Sequence, residues 1–109
     1  MPSVGFVQYK KGNEPGTLIA EWCHSDYGNG TGIATGGPAD GFEGRYTIRY
    51  FDDQGNMQAE RGLEIQKDGN YYQLSWSNNG EISGNGVGME TAEGLAVGYR
   101  DVEETLIQG

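Results

Sequence analysis

The densest cluster of chemically reactive side chains in this sequence is Glu21-Trp22-Cys23-His24-Ser25-Asp26. A cysteine nucleophile activated by a histidine needs the two side chains to face each other. On a β-strand, neighbouring residues point to opposite faces, so Cys23 and His24 would be separated by the backbone. Acid–base chemistry at His24 would need Asp26 or Glu21 as its partner, since the chain has one histidine. We therefore predict no catalytic residue, and a small enzyme acting through His24 is the last of three hypotheses.

Two other motifs resemble ion or phosphate sites, and each lacks a necessary part. The turn Asp52–Asn56 has the acidic character of a calcium loop but lacks its bidentate glutamate. The segment Gly28–Gly32 has the glycines of a phosphate loop without the lysine and the following helix. One histidine and one cysteine do not make a zinc site without suitably spaced carboxylates. The sequence therefore predicts neither a metal nor a cofactor.

The charge balance excludes some classes of partner. Sixteen acidic and seven basic side chains give a formal charge of -9, which disfavours binding to nucleic acid or to an anionic membrane surface. Cys23 is the only cysteine, so no internal disulfide can form. The start of the sequence lacks a signal-peptide pattern. We expect a cytoplasmic protein, monomeric or homodimeric; a secreted protein trimmed of its signal would share these features.

Short apolar or alternating segments recur about every ten residues, separated by turns rich in Gly, Asn and Asp, which is the pattern of an all-β meander. The tail Val102–Ile107 is too short to form an independent helix. The predicted strands are Val4–Tyr9, Thr17–Cys23, Thr31–Thr35, Arg45–Phe51, Met57–Gln66, Tyr71–Ser77, Ile82–Met89 and Leu95–Arg100.

An internal repeat organises these strands. Trp22 is followed after seven residues by the glycine strand Gly30–Ile33, and Trp76 after seven residues by Gly84–Val87. Two copies with similar flanks indicate a duplicated four-stranded unit, at about 4–51 and 57–100, within a single domain 1–109. Two such units can close into an eight-stranded antiparallel up-and-down barrel, which removes open edges. A two-sheet β-sandwich is the alternative.

Strand alternation assigns side chains to the interior. On the second and sixth strands, the faces that carry Trp22 and Trp76 are predicted to point inward. The glycines of the strands that follow would let these rings lie against bare backbone. The inward side chains near a barrel mouth are the predicted ligand-binding residues, namely Trp22, His24, Tyr46, Tyr50, Tyr72, Trp76 and Tyr99.

The segments Gly69–Trp76, Gly84–Val87 and Leu95–Tyr99 resemble a pattern in small uncharacterised bacterial β-barrel proteins. In general shape the chain is similar to the calycin-type barrels, the avidin and lipocalin-like group. That resemblance implies an eight-stranded up-and-down barrel with a ligand at its mouth.

The leading hypothesis is therefore non-catalytic binding of a small, partly apolar or aromatic ligand at one mouth of the barrel. The alternative is a protein-interaction module of inhibitor, immunity or regulatory type. It would use the long loop Gly36–Gly44, which interrupts the repeat, with Phe42 as the apolar anchor. A cavity above about 300 Å³ would favour the small ligand.

Overall fold

The computed structural model describes residues 4–102. Over that range the chain forms eight β-strands, and the predicted tail beyond Val102 lies outside the described residues. The strands are β1 Val4–Lys11, β2 Leu18–His24, β3 Gly28–Thr35, β4 Gly44–Asp52, β5 Met57–Asp68, β6 Tyr71–Asn78, β7 Glu81–Thr91 and β8 Gly94–Asp101.

Each strand pairs antiparallel with the next one in sequence, and β8 pairs with β1 to close the barrel. Val7 on β1, for example, lies opposite Trp22 on β2 and Val97 on β8. The eight-stranded antiparallel barrel is confirmed, and the alternative of two separate sheets is excluded. Within residues 4–102 the chain forms no helix with the length and apolar character of a membrane span.

All eight predicted strands form, and most extend one to three residues further than their sequence patterns indicated. The largest shift of a single strand boundary is at β3, which begins at Gly28 instead of Thr31. The turn before it ends at Gly28, whose φ of 85° few other residues adopt. Asn29 and Gly30 look like turn residues by composition, yet they pair with Cys23 and Trp22 on β2.

The predicted inward faces are confirmed by burial. Leu18 and Ala20 on β2 are fully buried, whereas the alternate residue Ile19 is exposed. The same alternation on the other strands gives one continuous core. Its buried members are Val7, Tyr9, Leu18, Ala20, Ala34, Phe42, Tyr46, Ile48, Leu63, Ile65, Tyr72, Leu74, Trp76, Leu95 and Val97.

The two tryptophans of the predicted repeat occupy equivalent positions in the ladder. Trp22 pairs with Gly30, and Trp76 pairs with Gly84. A Cβ on Gly30 would lie 2.7 Å from Cζ2 of Trp22 and would overlap the carbonyl oxygen of Phe51. The Trp22 ring therefore lies against bare backbone, as predicted, while the duplication itself stays a prediction.

The long loop between β3 and β4 folds inward and closes one end of the barrel. Its Phe42 is only 7% exposed and meets the edge of the Tyr72 ring at a centroid distance of 6.4 Å. The Phe42 carbonyl accepts a 2.9 Å hydrogen bond from Tyr46 Oη, and Lys11 Nζ lies 5.4 Å from the centre of the Phe42 ring. The sequence predicted Phe42 as an anchor for a protein partner; the structure instead places it in the core.

Candidate functional site

A cavity of about 510 Å³ lies at the opposite end of the barrel, where β2, β4, β6 and β8 end. This end has short turns, and no loop comparable to Gly36–Gly44 covers it among the described residues. The volume exceeds the lower size of ligand sites, about 300 Å³. The side chains that line the cavity include Trp22, His24, Tyr27, Tyr50, Asp52, Gln58, Ala59, Arg61, Trp76, Tyr99 and Asp101.

Five of the seven predicted ligand-binding residues line this cavity, namely Trp22, His24, Tyr50, Trp76 and Tyr99. The other two, Tyr46 and Tyr72, point inward but lie at the closed end beside Phe42. Strand alternation gave the correct face for these two tyrosines. It carries no information about height along the barrel axis, which depends on how the loops close each end.

Aromatic rings form the walls of the cavity and are held in place by neighbouring groups. Trp22 and Tyr50 meet edge to face at 6.2 Å and 87°, and Trp22 Nε1 donates a 2.8 Å hydrogen bond to the Thr31 carbonyl. Trp76 and Tyr99 pack at 5.1 Å and 46°. Such pairs add to the stability given by burial alone, so the walls present fixed aromatic surfaces.

His24 lies at the rim of the cavity, where it contacts the turn after β2 and the end of β8. Its Nδ1 accepts a 2.9 Å hydrogen bond from the backbone N–H of Asp26, which leaves the proton on Nε2. Nε2 then donates to Asp101 Oδ2 at 2.9 Å. The ring stacks on Tyr27 at 4.6 Å. Cys23 is exposed on the outer surface, so the predicted separation of Cys23 from His24 is confirmed.

Arg61 is a cavity residue that the sequence analysis missed. It lies opposite inward-facing Ile48 on β4 and lines the cavity. No carboxylate in the described part of the chain forms an ion pair with Arg61, and Arg61 Nη1 donates a 2.9 Å hydrogen bond to the Glu60 carbonyl. By contrast, Arg49 on the outer surface pairs with Glu60 at 3.4 Å. Alternation with Leu63 and Ile65 was the signal that places Arg61 inside.

Polar groups meet beneath the aromatic walls. Tyr9 Oη and Trp76 Nε1 are both buried, and neither has a hydrogen-bond partner among residues 4–102. Tyr9, Tyr50 and Trp76 lie close enough to interact electrostatically, but the contacts of Tyr9 and Trp76 do not reach hydrogen-bond geometry.

Burial raises the pKa of these phenols. It raises the pKa of Tyr9 well above 10.0, and it also raises the pKa of Tyr50, where the Arg61 charge acts in the opposite direction. Burial, followed by the charge of Asp101, raises the pKa of Tyr99 to about 12. All three hydroxyls therefore keep their protons at neutral pH and can act as hydrogen-bond donors.

Among the residues that the structure describes, no group of three His, Cys, Asp or Glu side chains is arranged to hold a metal ion. Comparison of the chain with protein-family models, with curated proteins and with solved structures gives no significant match.

Proposed function

We propose that this protein binds a small, partly apolar organic molecule in the cavity at the open end of the barrel, without catalysing a reaction. The observation that carries the proposal is the cavity of about 510 Å³ with walls of Trp22, Tyr50, Trp76 and Tyr99. Ligand sites in proteins are typically apolar hollows of about 300–1,000 Å³ that contain a few placed polar groups. The resemblance to calycin-type barrels likewise implies a ligand at one mouth of the barrel.

The two ends of the barrel differ in a way that supports this proposal. Small eight-stranded barrels can be filled completely by their own side chains. Here Phe42 and its neighbours fill one end, whereas the Trp22 ring at the other end lies along the wall against Gly30. The large aromatic side chains therefore surround the space at the open end instead of crossing it.

Binding can be tested with 8-anilinonaphthalene-1-sulfonate as the probe, followed by quenching of tryptophan fluorescence in the full chain. Ala59 lines the cavity on β5, so Ala59→Phe would fill part of the space. Thr47→Phe is the matched control, because Thr47 is exposed on the outer face of neighbouring β4.

We expect saturable binding of one probe molecule to the wild type and to Thr47→Phe, and at least a tenfold loss of affinity in Ala59→Phe. Circular dichroism would confirm that both variants fold. Equal affinity in all three folded proteins would place the probe elsewhere and overturn the proposal.

A further inference from the structure

We infer that the natural ligand is a small planar carboxylate whose anionic group points into the barrel towards Arg61. This inference rests on the proposed function and names the chemical class of the ligand for that cavity.

Arg61 occupies an unusual place for a charged side chain. A guanidinium is charged at all relevant pH values, and withdrawing it from water without a counter-charge is unfavourable. Arg61 nevertheless faces the cavity, and no carboxylate within residues 4–102 pairs with it. Its planar fork of N–H groups matches a carboxylate, which can accept two parallel hydrogen bonds from it. A bound anion would supply the missing counter-charge.

Hydrogen-bond donors also line the cavity. Tyr50 and Tyr99 both face it, and burial raises the pKa of both phenols, so their hydroxyls stay protonated and can donate. The charge of Arg61 acts on the Tyr50 hydroxyl, so the guanidinium lies near this group. A carboxylate is a small group that can accept hydrogen bonds from these hydroxyls and from Arg61.

Two carboxylates, those of Asp52 and Asp101, also line the cavity and could instead favour a cation. Asp52 Oδ1 accepts 2.9 Å hydrogen bonds from the backbone N–H groups of Gln54 and Asn56. Its Oδ2 accepts a 3.0 Å hydrogen bond from Gln58 Nε2. Asp101 Oδ2 accepts a hydrogen bond from His24 Nε2. Both acids are engaged in holding the turns and the rim, and a cation would also meet Arg61. The aromatic walls complete the assignment, because flat rings pack well against a planar apolar body.

The experiment compares three probes with the same naphthalene ring, similar size and different charge: 2-naphthoate, 2-naphthamide and protonated 2-naphthylmethylamine. Each is titrated into the full chain at neutral pH and followed by tryptophan fluorescence and calorimetry. We expect 2-naphthoate to bind at least tenfold more tightly than the amide, and the ammonium compound to bind most weakly.

The variant Arg61→Met keeps an apolar stem but removes the charge, and we expect it to abolish the preference for the acid. Arg49→Met is the matched control, because Arg49 lies on the outer face of β4; it should keep the preference. Tyr50→Phe provides a second test in case Arg61→Met fails to fold. This variant removes a hydroxyl of a cavity-lining residue on which the Arg61 charge acts, so it should weaken 2-naphthoate binding several-fold and weaken 2-naphthamide binding less.

The outcomes separate this inference from the proposed function. If the amide binds the wild type as tightly as the acid, the carboxylate inference fails while binding in the cavity stands. The carboxylate inference also fails, and binding in the cavity still stands, if 8-anilinonaphthalene-1-sulfonate binds at the Ala59 site but none of the three 2-naphthyl probes does. If no probe binds and Ala59→Phe changes nothing, both fail.

Discussion

Tyr72 stands at the closed end of the barrel, where its hydroxyl donates a 2.7 Å hydrogen bond to Glu90 Oε1. This bond, followed by burial, raises the pKa of Tyr72 from 10.0 to about 12. A raised pKa in the folded state means that folding favours the protonated phenol. Its contribution to stability is therefore fully present below pH 10 and is lost as the pH rises towards 12.

We expect Tyr72→Phe to lower the free energy of unfolding by about 1 kcal/mol at pH 8, because a hydrogen bond to a carboxylate is removed. The difference from the wild type should shrink between pH 8 and pH 11, as measured by urea unfolding at both values. Glu90→Gln should lower the pKa of one tyrosine in a 295 nm titration. A difference between Tyr72→Phe and the wild type that stays constant with pH would contradict this account.

Arg61 shows what single residues can and cannot reveal in a sequence. Period-two alternation with Leu63 and Ile65 places it inside the barrel. The general rule that charged residues are exposed predicts instead that Arg61 lies on the outer surface. An inward arginine beside a cavity is an exception to this rule, and ligand binding can explain it. His24 was predicted at the rim and lies there. Its two ring nitrogens bind Asp101, which is distant in sequence, and the backbone of Asp26 in the turn after β2, and strand alternation predicts neither partner.

At the scale of elements, the glycines of the barrel wall differ in how much space surrounds them. Gly30 on β3 is enclosed by Trp22 and the Phe51 carbonyl, whereas nothing lies within 4 Å of a Cβ placed on Gly98 of β8. We expect Gly30→Ala to destabilise the protein by about 2 kcal/mol through overpacking.

Gly98→Ala is the matched control and should stabilise the protein by about 0.5 kcal/mol, because alanine loses less backbone entropy than glycine in a strand. Chemical unfolding of both variants provides the measurement. If the two substitutions had equal effects, the close packing of Trp22 on the β3 backbone would be refuted.

The β3–β4 loop fills one end of the barrel with Phe42, and the contribution of this side chain to stability can be measured. Removing the buried Phe42 ring in Phe42→Ala would leave a cavity beside Tyr72, so we expect a loss of about 3 kcal/mol. Phe6→Ala is the control, because Phe6 is 45% exposed on the outer surface; it should cost less than about 1 kcal/mol. Similar losses for both variants would show that Phe42 does not close the barrel.

The strands were predictable because their alternation and their turn residues are local signals. The direction of the Gly36–Gly44 loop was not, since a loop rich in glycine can extend into solvent or fold onto the core. In this chain Gly37 fits against the Tyr46 ring and Gly44 against Pro38. Strand alternation does not predict these contacts, so the sequence also left open which end would be filled by Tyr46 and Tyr72.

For the whole molecule, the distribution of charge adds a constraint on how a ligand reaches the cavity. The formal charge is -9, and Asp26, Asp52, Asp53 and Asp101 stand at the turns and strand ends around the mouth. An anionic ligand must approach this negative surface before it reaches Arg61. The repulsion acts over the Debye length, about 30 Å at 0.01 M salt but only about 8 Å at 0.15 M.

Raising the salt concentration from about 10 mM to about 150 mM should therefore speed the association of 2-naphthoate several-fold, since exposed like charges slow the encounter at low salt. The dissociation rate should change little, because Arg61 is half-buried and its contact with the ligand is screened less. Stopped-flow tryptophan fluorescence measures both rates, and neutral 2-naphthamide provides the control, with an association rate independent of salt. Association of the acid that slows with added salt would mean that the field of Arg61 outweighs the acidic rim. The mouth would then attract anions from solution instead of repelling them.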